Sequence, residues 1–589
     1  MADRPTRSLS ELRRLAPYLK RYKGMIVWGL IFITISNVSS TTIPRIVGAA
    51  VDGFKAGTFT GTEHILQPII FILLLTIGSG LGMFATRRTI IVMSRRVEED
   101  LRNDFLAALQ RQDQAFYHDR STGSLLAHFT NDIQSVRAFI GPAIMYTANT
   151  VTVFLFALSW MMIISPVLTL AIVVPIPFIA WATYTLGRKI HQRYHTVQEQ
   201  YEMVTTHAQE AFSGIRVVRA YDREDEESSR FNEHSTEYYR KSLSLARVQA
   251  FMMPSMTVLF NLSYIVVLGV GGWLIIGSSF TVGDLTQFFI YLNQMIWPIG
   301  AIGWVTGMIQ RGAASMGRLG VILDSTPSIA DSPQTNHQIT QLQGEITFDH
   351  VTLQYPSGTS PALRDVSFHV PVGGSLGILG PVGSGKSSIM NLIPRLFDAT
   401  SGTVSLDGHD VRTIPLEVLR SSVAVVPQES FLFSETIAEN IRFGRPTASE
   451  DAVHTAAERA QIAGDIQRLP NGYDTVVGER GVTLSGGQKQ RTALARALAC
   501  EPAILILDDA LSAVDTHTEA RIVEGLTAVM QHRTTIIIAH RISTLQHCDT
   551  IIVLQDGVVT EQGHHDALLE LGGHYAETYQ RQLLEEQLS

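Results

Sequence analysis

The run Gly380-Pro-Val-Gly-Ser-Gly385-Lys386-Ser387 fits GxxxxGK[ST], a spacing suited to gripping a chain of phosphates. A strand-like stretch, 375–379, precedes it and a helix-like one, 388–396, follows, which is the context this motif requires. Gly380, Gly383 and Gly385 let backbone N–H groups curl round an anion, with Ser384 and Ser388 beside them. The helix N-terminus adds a favourable dipole there. Lys386 is expected to reach the β- and γ-phosphates of a nucleotide, and the Ser387 hydroxyl to ligate Mg²⁺. Further along, Ile504-Leu-Ile-Leu-Asp508-Asp509 ends a buried-strand pattern in two carboxylates. Asp508 is placed to hold Mg²⁺ through water, the Walker B arrangement. The alternative for such an acidic pair is a helix N-cap.

These motifs need a scaffold, and 589 residues are more than one hydrophobic core usually organises. Charged residues make up only 17% and hydrophobic ones 45%, too apolar for a disordered chain. A net charge of −8 provides no basic footprint for nucleic acid. Both cysteines, Cys500 and Cys548, fall in the half expected to face the cytosol, so no disulfide framework is expected. The opening MADRPTRSLSELRRL has no apolar core followed by small residues, so no cleaved signal peptide is expected.

The first half reads as a membrane domain, 1–323. Six apolar stretches lie near 25–47, 65–93, 138–165, 166–187, 251–277 and 282–310. Each reaches the roughly 20 residues a helix needs to cross a bilayer. Seven Lys/Arg precede residue 24, six fall in 94–137 and ten in 188–250, whereas the opposite connections carry only Lys55. The positive-inside rule then puts the N-terminus, both long loops and the C-terminal half in the cytoplasm. Polar residues inside the spans (Asn37, Asn149, Asn261, Asn293, Gln294) either line a cavity or bond between helices, and the second reading is favoured for any one of them. Arg45 is either a cavity charge or a side chain snorkelling to the outer interface.

Residues 324–343 are polar, contain prolines and lack any period, as a linker does. From 344 to 589, strand-like runs alternate with helical ones, as in a mostly parallel α/β sheet. Between the two phosphate-site motifs stands Leu484-Ser485-Gly486-Gly487-Gln488, followed by Lys489-Gln490-Arg491. This resembles the signature of the ATP-binding-cassette (ABC) superfamily, and the resemblance extends over essentially the whole chain. Tyr355 is similar to the aromatic that stacks on adenine, and Gln428 to the Q-loop residue that touches Mg²⁺ and faces the membrane domain. Thr475–Gly481 resembles the exporter X-loop, Ser512–Asp515 the D-loop and His540 the switch histidine; Thr122–Asp132 and Gly214–Tyr221 resemble coupling regions. The fold this implies is an all-α, six-helix transmembrane domain followed by an α/β P-loop ATPase domain, the order of an ABC half-exporter.

The resemblance also implies ATP and Mg²⁺ as ligands and a dimer, each ATP lying between one subunit's P-loop and the other's signature. Ser485, Gly486, Gly487 and Gln488 would then meet the partner's nucleotide, and Gln428, Asp509 and His540 would serve hydrolysis. The family's usual base, a glutamate after the Walker B aspartate, is here Asp509, one methylene shorter. The expectation is therefore a heterodimer with a second half-transporter, in which this chain's own ATP site is degenerate. A homodimeric lipid or drug flippase and an ATP-gated channel or regulator stay open. The cargo class is a small molecule, lipid or peptide, the surroundings are membrane lipid, and the expected location is a bacterial inner (plasma) membrane.

Overall fold

A computed structural model describes residues 10–58, 61–173, 175–277, 280–356, 358–478, 481, 484–510 and 533–588. The chain divides into two compact units. One comprises 1–107 and 126–324; the other comprises 108–125 and 325–589. The ATPase unit thus includes a piece of the first long loop as well as the C-terminal half.

Among the described residues, helices account for nearly all of the six apolar stretches. They are α1 (Lys23–Lys55), α2 (Thr62–Thr86) continuing through a π turn into α3 (Val92–Gln110), then α4 (Gln114–His118), α5 (Thr122–Ala127) and α6 (Ile133–Ala138). Next come α7 (Ile144–Ile164), α8 (Pro166–Val173), α9 (Pro175–Ser213), α10 (Glu224–Ile276) and α11 (Val282–Leu323). By length and composition, Lys23–Lys55, Thr62–Gln110, Thr122–Ile164 and Val282–Leu323 are able to cross a membrane, and Asn261–Ile276 is a shorter apolar helix. Pro142, which lacks an N–H, sits in the π turn Phe139–Ala143 ahead of α7.

Small residues bring these helices close. A Cβ on Gly283 of α11 would lie 2.1 Å from the Gly48 carbonyl of α1, so the two backbones touch. Polar side chains bridge helices as well: Asn37 donates to Thr152 Oγ1 at 2.5 Å, and Gln294 donates to the Ser40 carbonyl at 3.1 Å. Asn261 and Asn293 are exposed. Nearer the far end of α11, Asp132 accepts from Ser315 Oγ at 2.8 Å and from Arg318 Nε at 3.0 Å.

In the ATPase unit an antiparallel sheet joins β1 (Ile346–Leu353), β2 (Leu363–Val370), β4 (Ser401–Leu406) and β5 (His409–Asp410) in the order β2-β1-β4-β5. A second sheet runs β10-β9-β3-β8-β7-β6. Its strands are β3 (Ser375–Leu379), β6 (Val423–Val426), β7 (Ile504–Asp508), β8 (Thr534–Ile538), β9 (Thr550–Gln555) and β10 (Val558–Gly563). All neighbours are parallel except the β9–β10 edge. Every residue of β3, β7 and β8 is buried, which accounts for their continuous apolar runs (SLGIL, ILILD, TTIII).

The linker is irregular yet packed within this unit. Ile339 and Leu342 are buried in its core, the Asn336 N–H donates to the Thr413 carbonyl at 2.7 Å, and Asp331 accepts from the Leu416 N–H at 3.0 Å. Segment 108–125 joins in through Asp113, which caps α4 by accepting from the Phe116 N–H at 3.0 Å and also accepts from the Ser328 N–H at 2.8 Å. Burial raises the Asp113 pKa, but these bonds and that of the Ser328 hydroxyl win and hold it below the usual range.

Candidate active site

The parallel order β3-β8-β7 puts three chain segments side by side at the carboxyl ends of the strands, where α/β sheets bind ligands. The loop 380–385 leaves β3, Asp508 ends β7, and His540 follows β8. After the loop comes α12 (Lys386–Leu392), anchored by buried Ile389 and Leu392.

Backbone shape sets the loop's glycines. Gly385 has φ +101° as the helix N-cap, and Gly383 has φ +85°. A Cβ on Gly385 would stand 2.4 Å from the Ala362 carbonyl; one on Gly380 would stand 2.3 Å from the Leu554 carbonyl. Lys386 is buried, and its ammonium donates to the carbonyls of Gly380 (2.7 Å) and Pro381 (2.8 Å), drawing the loop closed. Burial pushes its pKa down, against the pull of Asp508 and Asp509. The Ser384 hydroxyl is buried with no hydrogen-bond partner.

Ser387 Oγ donates to Asp508 Oδ2 at 3.0 Å. Burial raises the Asp508 pKa, and the Asp509 charge adds to this against the Ser387 bond and Lys386. Asp509 sits at φ +46°, a left-handed conformation that Asp tolerates better than most residues. Its N–H donates to the Ile538 carbonyl at 2.8 Å, extending the β7–β8 ladder by one rung. Gln428, exposed beyond β6, places Nε2 3.4 Å from Asp509 Oδ2. His540 is exposed, and its carbonyl accepts from Gln582 Nε2 at 2.7 Å. Tyr355 packs edge-on to Phe397, and its hydroxyl donates to Ser388 Oγ at 3.0 Å, so these two expected ligands are tied to each other.

Lys386, Ser387, Asp508, Asp509, Gln428 and the P-loop glycines therefore converge. The signature is built separately, at the start of α14 (Gly486–Ala499), which is preceded in this unit by α13 (Ile437–Arg442). Ser485 is the N-cap: its Oγ accepts from the Gln488 N–H at 3.3 Å, while Gln488 Oε1 accepts from the Ser485 N–H at 3.0 Å. Ser485 and Gly486 are exposed, as a surface offered to another molecule must be. In the X-loop stretch, Val477 is buried and its N–H donates to the Glu435 carbonyl at 2.9 Å. Residues 479–480 and the stretch 512–515 lie outside the described residues.

Sequence reasoning passed over two supports of the Gln428 segment. Buried Asn440 accepts from the Phe433 N–H at 2.9 Å and donates to the Phe433 carbonyl at 2.9 Å. Arg496 donates to the Asn440 carbonyl (2.8 Å) and the Phe431 carbonyl (3.0 Å) and lies 5.8 Å from the Phe433 ring centroid. A polar residue among the apolar positions of α13 was the available signal.

The donor set fits a divalent cation held jointly with a nucleotide. Among the described residues no cluster of three or more His, Cys, Asp or Glu side chains is able to hold a metal alone. Ser387 and Asp508 would supply the protein's share, and phosphate oxygens the remainder.

A phosphate loop on a parallel sheet, a signature at a helix start and a bundle of long apolar helices define a membrane-bound nucleotide-driven machine. Residues 26–299 match the family model described as the ABC transporter transmembrane region, and 363–512 match that described as ABC transporter. The chain is 37% identical over 582 residues to the "Probable multidrug resistance ABC transporter ATP-binding/permease protein YheI" of Bacillus subtilis (strain 168), covering 98% of both chains. It is 36% identical to the "Multidrug resistance-like ATP-binding protein MdlA" of Escherichia coli (strain K12), over 96% of this chain and 95% of that one. A solved bacterial Atm1-family ABC exporter with ATP bound superposes with TM-score 0.78 at 30% identity, covering 96% of this chain and 98% of that one. The protein belongs to the ABC transporter family and is an ABC exporter with an ATP-binding domain whose ATPase activity is coupled to transport.

Proposed function

We propose that this chain is one half of a heterodimeric exporter whose own ATP site binds nucleotide well and hydrolyses it poorly. The observation that carries the reading is Asp509: a short carboxylate on a backbone tied to Ile538 at 2.8 Å. A backbone so held does not slide forward to make up the missing methylene. At this site Lys386 and the P-loop N–H groups bind the phosphates, and Tyr355 lies against the adenine. Ser387 and Asp508 would hold Mg²⁺, with Gln428 alongside, and the ion would neutralise phosphate charge. Asp509 and Gln428 orient water, and His540 faces the γ-phosphate. Ser485, Gly486, Gly487 and Gln488 complete the partner's site, where a glutamate is expected. ATP favours the closed dimer because it touches both halves only there.

In this reading the membrane unit has six spans, with the N-terminus and ATPase domain cytoplasmic in a bacterial inner membrane. The cargo is a small amphiphilic molecule, a lipid or a peptide. Untagged partner recovery tests it: affinity purification of this chain from its native membrane should bring down a second half-transporter of similar length bearing that glutamate. A stable homodimer with brisk ATPase, and no such partner, would favour the homodimeric flippase.

A further inference from the structure

Arg45 stands far along a membrane helix, stacked on Trp160, with no carboxylate pairing to it among the described residues. Two helices fix its depth independently. From Lys23, the first residue of α1, to Arg45 is about 33 Å at 1.5 Å per residue. From Arg87 back to Gln67 on the neighbouring helix is about 30 Å by the same rise. A hydrocarbon core is roughly 30 Å thick, so the cationic ends mark one interface and Arg45 with Gln67 mark the other.

At that level lies a cleft of about 370 Å³ lined by Arg45, Ile46, Ala49, Gln67, Pro68 and Phe71. The Arg45 guanidinium lies 4.5 Å from the centroid of the Trp160 ring. Stacking occupies the face of the guanidinium and leaves its in-plane N–H fork for an acceptor. Asp52, two turns on, is engaged elsewhere, accepting from Thr281 Oγ1 at 2.6 Å and the Gly283 N–H at 2.8 Å. Below the cleft, Phe71 and Leu74 are 60% and 58% exposed, an apolar track running into the bilayer.

We infer that this cleft binds an anionic glycerophospholipid, its phosphodiester on the Arg45 fork and Gln67 amide and its acyl chains along Phe71 and Leu74. A phosphate matches the fork two bonds at a time. An unpaired cation selects a net-negative headgroup over a zwitterionic one, whose ammonium it would repel. The volume suits a phosphate and glycerol, with the chains left outside in the membrane. The depth count alone places the cleft at headgroup level; that it is the outer leaflet rests on the proposed topology. Labelling of an Ala56→Cys variant, exposed past the end of α1 and outside the cleft lining, by an impermeant maleimide on intact cells tests that topology separately.

The binding test is native mass spectrometry of the detergent-solubilised full chain with phosphatidylglycerol, phosphatidylcholine of the same acyl chains, or inorganic phosphate. Wild type should retain phosphatidylglycerol in preference to phosphatidylcholine. Arg45→Ala should weaken that retention about tenfold or more, the loss expected for a charged bidentate contact. Arg45→Lys should weaken it less, and phosphate alone should neither bind measurably nor compete. Ala49→Trp, which fills the cleft and keeps the charge, should also lose the lipid, so the result does not depend on Arg45 variants folding. Unchanged phosphatidylglycerol binding in both Arg45→Ala and Ala49→Trp, equal retention of phosphatidylcholine by wild type, or binding of phosphate alone would each overturn the assignment.

Discussion

Lengthening the carboxylate of Asp509 should awaken this chain's own ATP site. The Asp509 N–H is bonded to the Ile538 carbonyl at 2.8 Å and its φ is +46°, so the side chain projects from a fixed point. Asp509→Glu adds one C–C bond, about 1.5 Å of reach. A misplacement of about 1 Å costs around 100-fold in rate, equivalent to about 2.7 kcal/mol of barrier. With two copies of the purified chain paired in lipid nanodiscs, so that each P-loop meets an intact signature, and with saturating Mg-ATP, Asp509→Glu should therefore raise kcat by up to about 100-fold. KM for ATP should stay near its wild-type value, because this carboxylate does not bind the phosphates. The left-handed backbone suits Asp better than Glu, so the gain should come with a stability loss of up to about 1 kcal/mol. In the assembled heterodimer, Asp509→Asn should change ATPase only modestly, whereas glutamate-to-glutamine in the partner should block turnover. If the isolated chain turns over briskly, Asp509→Asn abolishes that activity and Asp509→Glu adds nothing, the degenerate-site reasoning is refuted.

Lys386→Ala removes an ammonium that bridges the Gly380 and Pro381 carbonyls, and should weaken ATP binding at this site about 10- to 100-fold, read by nucleotide photolabelling. The same change in the partner should cost more turnover; equal losses would count against asymmetry. Ser485→Phe should nearly abolish ATPase of the assembled transporter without weakening ATP binding at this chain's P-loop; full activity would rule out the shared site. Arg496→Ala strips donors from the Phe431 and Asn440 carbonyls and should cost about 2–3 kcal/mol of stability, seen as a lower Tm of the full chain. An unchanged Tm would mean that Arg496 does not support the Gln428 segment.

What the sequence disclosed was whatever short-range chemistry demands. GxxxxGK[ST] needs its two glycines because Gly385 adopts positive φ and a Cβ at Gly380 or Gly385 would strike a backbone carbonyl. The strand ILILD was readable because all its positions are buried. Contacts between distant residues were not readable. The Asp113–Ser328 bond, which ties 108–125 to the linker, joins residues far apart in the chain and follows no local period. Nor did periodicity disclose that the linker residues Ile339 and Leu342 sit in a core, or that Tyr355 and Ser388 bond to each other.

In the proposed shared site, the signature stabilises its own helix and still has donors to offer another molecule. Ser485 Oγ accepts from the Gln488 N–H, and Gln488 Oε1 accepts from the Ser485 N–H, which closes a capping box on α14. Accepting leaves the Ser485 hydroxyl proton to donate, and the Gln488 carboxamide keeps its NH₂, since only its oxygen is used in the box. The donors a phosphate needs thus remain while the helix end is satisfied, and no reordering is needed to present them. Ser485→Ala should then separate the two roles. Losing the cap costs about 1 kcal/mol of stability, whereas losing the hydroxyl proton weakens contact with the partner's nucleotide. Ser485→Asp restores a capping acceptor but sets a negative charge against the phosphates. Stability should recover in Ser485→Asp while ATPase falls below that of Ser485→Ala. If instead ATPase follows stability across the two variants, the signature serine acts on the helix alone.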